Sequence, residues 1–283
     1  MTTPDPAVRS RLGRLGPIRR ARGYRLYDHR GRRFLDLWQG GGRALLGHRP
    51  DRALARIKDA LSRGVSGGLP SVYERRLRNR LRQLVPGCEP LLTGSDAEVR
   101  VVLQHLGVGA GDVHDPAIDE RPAEACVAGI WRPLAGPTPP PPHWRAVVPV
   151  LPSTIGEAPA PLCLPAGTAA DELEALIAPA PLPAPLLVAG LAGLDRLPRY
   201  GGAAWAQRAW PDPHGCAGWE RRGPYLAARC DAAVYDAVFD RFLRAGILLS
   251  PFHPGPSILP DEVSAGEEAA LMRLFAERPT DSC

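Results

Sequence analysis

Residues 23–50 read GYRLYDHRGRRFLDLWQGGGRALLGHRP, and they hold the most ordered local pattern in the chain. Leu26, Phe34, Leu35 and Leu37 are apolar positions suited to extended strands. Asp28-His29-Arg30-Gly31 divides them as a turn whose glycine can take positive φ, so the stretch predicts a β-hairpin. Gly40-Gly41-Gly42 then leave the backbone bare where a ligand or another chain can approach closely. Leu45-Leu46-Gly47-His48-Arg49-Pro50 follows as a short apolar segment ending in a turn.

Around this block, composition sets the class. A chain of 283 residues buries on the order of 75% of its unfolded surface, enough for one large or two modest domains. With 45% hydrophobic residues and mixed charge it reads as a globular protein rather than a disordered one. Of 35 Lys+Arg residues only Lys58 is a lysine. The net charge of +5 gathers before residue 34, where Arg9, Arg11, Arg14, Arg19, Arg20, Arg22, Arg25, Arg30, Arg32 and Arg33 fall. This run lacks interleaved aromatics and any nucleic-acid motif, so it reads as a solvated charged face, and a nucleic-acid partner is not expected. The most apolar region, residues 179–194, is broken by Pro181, Pro183 and Pro185, which argues against a membrane span. The first twenty residues carry no apolar signal-peptide core. Six scattered cysteines without a CxxC pair point to free thiols in a reducing cytoplasm. His214 and Cys216 with Cys230 lack a fourth ligand and regular spacing, so no metal site is predicted.

In chain order, residues 1–22 form a basic lead-in with a helix over 7–15 stopped by Gly16-Pro17. Helices are predicted over 51–62, capped by Asp51, and over 69–83, opened by Pro70-Ser71. Leu91-Leu92-Thr93-Gly94-Ser95-Asp96 then reads as strand, small-residue turn and helix start, an arrangement that presents free N–H groups and a positive dipole end to an anion. Two readings of this turn stand: a phosphate loop, or a helix simply capped by Ser95 or Asp96. Further on, 125–131, 146–151 and 184–191 read as strands and 169–178 as a helix, with a proline run over 137–142. Residues 222–228 read as a strand, and Asp231 caps a helix stopped at Gly246 before the strand Ile247-Leu248-Leu249. Ser264 with Glu267 makes a capping box for a final helix. The alternation implies an α/β layer.

The opening block resembles that of the class III aminotransferases, pyridoxal-phosphate enzymes that include ornithine-type transaminases and glutamate semialdehyde aminomutase. The family's glycine, strand, aspartate, turn glycine, aromatic, aspartate, small-residue stretch and leucine-glycine-histidine are held here by Gly23, Leu26, Asp28, Gly31, Phe34, Asp36, Gly40 to Gly42 and Leu46-Gly47-His48. The ending, with Gly246-Ile247-Leu248-Leu249-Ser250-Pro251 and the final helix, is similar to the family's small domain. The resemblance implies a reduced fold-type-I α/β architecture: small-domain segments 23–84 and 220–283, made from both chain ends, around a truncated cofactor domain over 85–219. It implies Thr93, Gly94 and Ser95 as the phosphate loop and Asp195, by position alone, as the pyridine-nitrogen partner; a loop role for Asp195 is the other reading. Asp261-Glu262-Val263 spells the family's aspartate motif but stands directly before the last helix, where no cofactor-domain strand follows.

A transaminase depends on a lysine that forms a Schiff base and shuttles protons, and Lys58 stands in the second predicted helix, far from the family's place for it. Only about 120 residues separate the phosphate-like turn from the C-terminal segment, few for the family's large sheet. The expectation is therefore a degenerate class III aminotransferase-like protein without transaminase activity, with a structural, dimerising or ligand-binding role. It would act as a homodimer or as a heteromer with a full-length paralogue. The alternatives are an enzyme that holds pyridoxal phosphate noncovalently and, second, a basic nucleic-acid-associated module.

Overall fold

The computed structural model describes residues 5–48, 53–64, 69–135, 140–153, 155, 158–177, 181–200 and 218–277. Arg49, Pro50, the Asp51 cap, residues 137–139, Ala178, His214, Cys216 and Cys283 lie outside them.

The hairpin predicted from residues 23–50 is present. Strand β2 (Arg25–Asp28) pairs antiparallel with β3 (Arg33–Asp36), Leu26 facing Phe34. The turn is organised by Asp28, whose buried carboxylate accepts from the backbone N–H groups of Arg30 and Arg32 and from Arg32 Nε. Residues 18–22, assigned to the lead-in by sequence, form a further strand, β1 (Ile18–Arg22), which pairs with β2 and leaves its arginines exposed on the sheet edge. Such charged edges discourage strand addition by other chains. On the other side β11 (Ile247–Leu248) runs parallel to β3, with Ile247 opposite Leu35. One sheet is thus built from both ends of the chain.

Helices α1 (Pro6–Leu15), α7 (Ala232–Arg244) and α8 (Ala265–Ala276) complete this unit. Tyr24, Phe34, Leu37, Tyr235, Phe239 and Leu271 belong to its core. Trp219, Phe242 and Phe275 meet ring to ring at centroid distances of 5.1–5.7 Å. The solvated basic face expected for the early arginines is only partly realised. Arg11 and Arg14 bind Asp236, Arg14 also binds Asp240, and Arg25 binds Glu267, because a planar guanidinium finds matching carboxylates on α7 and α8 once these pack against the sheet. The strand expected over 222–228 is two: β9 (Trp219–Arg222) and β10 (Tyr225–Ala228) form a hairpin through Gly223-Pro224, and β12 (Ser257–Ile258) extends it.

A five-stranded sheet carries the middle of the chain: β4 (Cys88–Leu91), β8 (Leu162–Pro165), β7 (Ala146–Pro149), β6 (Ala128–Trp131) and β5 (Val113–His114), in that spatial order. Its two-residue period separates two cores. Leu162 and Leu164 of β8 and Ala146 of β7 face α4 (Asp96–His105) and α5 (Ala170–Ile177), with Val99, Val102 and Leu173. Cys163 and Val147 point the other way, toward α2 (Ala53–Ser62), α3 (Val72–Leu84) and α6 (Ala184–Tyr200), with Leu77, Leu81 and Leu187. The strand predicted over 184–191 is therefore a correction: these residues open the helix α6. Leu187, Val188, Ala189 and Leu194 are all buried in the core shared with α2, α3 and the sheet, so a run buried on more than one side loses the period that marks a helix.

Candidate functional site

At the end of β3 the Asp36 carboxylate, 1% exposed, sets the turn that follows. Its Oδ1 accepts from the backbone N–H groups of Trp38 (2.9 Å) and Gln39 (2.8 Å), and its Oδ2 lies 2.7 Å from His48 Nε2. Gln39, Gly40, Gly41 and Gly42 then take φ values of 50°, 60°, 72° and 110°. Glycine adopts these angles freely, whereas Gln39 is strained by roughly 1–2 kcal/mol. Gln39 is held there because its side chain is fully buried and donates from Nε2 to the Ile258 carbonyl at 3.0 Å.

The three glycines, read from sequence as bare backbone, are partly covered. A Cβ on Gly42 would stand 3.1 Å from Val150 Cγ1, and the Gly41 carbonyl accepts from Arg132 Nη1. Arg132, just beyond β6, binds Asp115 bidentately at 2.7 Å for both contacts and lies 5.7 Å from the centre of the Tyr225 ring. Tyr225 donates to the Pro133 carbonyl, and burial pushes its phenol up. Sequence reasoning missed Arg132 and Asp115. Nothing among so many arginines marks one as buried, and its partners come from distant segments.

Two polar atoms in this turn are buried without a hydrogen-bond partner: the donor Trp38 Nε1 and the acceptor Gln39 Oε1. Leaving such an atom unpaired costs about 1–3 kcal/mol. Trp38 stacks obliquely near Phe252, at 6.3 Å, in a loop that also holds the unpartnered His253 Nε2. Burial and the Arg11 charge hold the His253 ring below its ordinary range.

Arg43 links this turn to the second motif through Asp96, at 3.2 Å, at the start of α4. Here Thr93, Gly94 and Ser95 stand together. Thr93 is buried and its hydroxyl donates to the Ala160 carbonyl. Ser95 is the N-cap, accepting from Glu98 N–H at 3.3 Å, and Glu98 reaches back to accept from Gly94 N–H at 2.8 Å. One N–H group of this turn, that of Gly94, is taken by the chain's own carboxylate, and Asp96 adds a second negative charge in the same turn. Asp195 lies elsewhere, on α6, where it pairs with Arg56 of α2 (2.9 Å) and lies 3.8 Å from Arg80 of α3. It borders a groove of about 690 Å³ that residues 93–95 do not line. Lys58 is exposed on α2. These residues do not fit a lysine-bound pyridoxal phosphate as they stand: Lys58 is exposed on α2, and the Gly94 N–H is bonded to Glu98.

No family model matches the chain. Among curated proteins, glutamate-1-semialdehyde 2,1-aminomutase of Herminiimonas arsenicoxydans is 33% identical over 111 residues, 39% of this chain and 26% of that protein. The chain thus aligns with only about a quarter of the aminomutase. Among solved structures, glutamate-1-semialdehyde-aminomutase from Pseudomonas aeruginosa PAO1 superposes with a TM-score of 0.61 at 14% identity, covering 92% of this chain and 86% of that one. The PMP-bound aminotransferase from Vibrio fluvialis gives 0.58 at 14%, covering 93% of each. The mixed α/β fold is accordingly that of the pyridoxal-phosphate-dependent aminotransferases. An uncharacterized protein of Treponema pallidum (strain Nichols) is 32% identical over 302 aligned positions, covering 88% of this chain and 90% of that protein, and the chain belongs to the same family as that protein.

Proposed function

We propose that this chain is an aminotransferase-fold protein that does not catalyse transamination and serves as a structural, dimerising or ligand-binding protein. The observation that carries this reading is the state of the two groups on which the chemistry depends. The single lysine is exposed on α2, and the Gly94 N–H is hydrogen-bonded to Glu98. Thr93, Gly94 and Ser95 are then a phosphate loop whose Gly94 N–H is closed from within.

The test is reduction with borohydride after incubation with one equivalent of pyridoxal phosphate, read by intact-protein mass. The expected result is unmodified chain. A stoichiometric pyridoxyl adduct that Lys58→Arg removes would overturn the reading.

A further inference from the structure

We propose that His114, Asp119 and Cys126 form a binding site for one divalent cation of the zinc type. His114 is the last residue of β5, Cys126 stands two residues before β6, and the intervening loop returns so that nitrogen, carboxylate oxygen and thiol sulfur lie within 4.8 Å of one another. None of the three is exposed: Cys126 is buried, and the side chains of His114 and Asp119 are 12% and 13% accessible. The donor set combines a borderline nitrogen, a hard oxygen and a soft sulfur, which suits Zn²⁺ over Mg²⁺ or Ca²⁺.

A second observation points to the same place. His114 Nδ1 is buried with no hydrogen-bond partner, and Asp119 Oδ2 stands 3.7 Å away. That distance is too long for a hydrogen bond. It lies just above the separation of a nitrogen and an oxygen ligand on one tetrahedral zinc ion, about 3.3–3.6 Å for bonds of about 2.0–2.2 Å. Cys126 Sγ, within 4.8 Å of the other two ligand atoms, completes three protein ligands, and water takes the fourth position. On binding, the Cys126 thiol gives its proton to solvent and coordinates as thiolate.

One neighbour competes. Arg121 contacts both Asp119 oxygens, with Nη2 at 2.6 Å and Nε at 3.0 Å, and pulls the carboxyl below its usual range. The cation must share Oδ2 with this guanidinium, so the site is of moderate rather than extreme affinity. Its consequence for the fold is local. The loop it would pin carries Asp115, which holds Arg132 against the glycine turn. The ion would thus brace the far side of the candidate site.

Cobalt(II) titration of the full, chelator-treated chain tests the site without reference to any activity. One equivalent of Co²⁺ should bind with a near-ultraviolet thiolate-to-cobalt absorbance, and Zn²⁺ should displace it. Cys126→Ser should abolish that band, His114→Ala should weaken binding at least about tenfold, and Cys88→Ser should leave the band intact. Persistence of the band in Cys126→Ser would overturn the proposal. So would a wild-type chain that shows no thiolate band at stoichiometric Co²⁺, a result that does not depend on any variant folding.

Discussion

At Glu267 two opposing effects meet. Burial raises the carboxyl, but hydrogen bonds from Arg25 and from the Ser264 backbone and hydroxyl outweigh it and hold the group at about 2. The folded value lies below the unfolded one, so the stabilisation is fully present above about pH 4.5 and is lost as pH falls toward about 2. After discounting for solvent screening it amounts to about 1–2 kcal/mol. Urea midpoints measured from pH 6 down to pH 2 should therefore fall more steeply for the natural chain than for Glu267→Gln. Equal slopes would remove Glu267 from the acid response. The capping box itself was legible, because Ser264 and Glu267 are three residues apart in a fixed pattern. Arg25, 242 positions away, was not, since no local rule names a partner at that distance.

Among the elements, α6 shows how close packing hides a helix. A Cβ at Gly193 would lie 1.9 Å from the Pro152 carbonyl oxygen, whereas at Gly190 the nearest atom is 3.4 Å away. Glycine at 193 therefore sets the distance between α6 and the chain that follows β7. Gly193→Ala should lower stability by about 2–3 kcal/mol through forced backbone shifts, and Gly190→Ala should change it by less than about 1 kcal/mol. Thermal unfolding of the two variants checks the contrast, which fails if both behave alike. The same packing explains the mistaken strand over 184–191: prolines at 181, 183 and 185 and an apolar run read as extended, and the partners that bury the run, α2 and α3, are separate in sequence. Helices α3 and α4 were legible because each has a serine cap and, beyond it, a buried stripe at helical spacing.

For the molecule as a whole, Arg132 is the tie between the five-stranded sheet and the sheet made from both chain ends. It joins Asp115, the Gly41 carbonyl and the face of Tyr225. Arg132→Met should destabilise by about 3–5 kcal/mol, because Asp115 is left buried without its counter-charge, and adding Asp115→Asn should recover part of the loss. Denaturant unfolding of single and double variants measures this; additive losses would mean that the pair is not coupled. The local grammar of residues 23–50 was enough to specify the hairpin, because turns, caps and two-residue periods act over a few positions; the aminotransferase fold was reached only through the resemblance of that block and of the chain's ending to the class III aminotransferases. The single lysine was equally visible without coordinates. The Ser95–Glu98 spacing that closes the Gly94 turn is the same local pattern as Ser264–Glu267. Tertiary structure alone decided that Asp195 pairs with α2 and α3, and that Trp38 and Gln39 are left with unpaired polar atoms. Those outcomes depend on which side chains meet after distant segments pack, and burial, rather than sequence spacing, selects the partners.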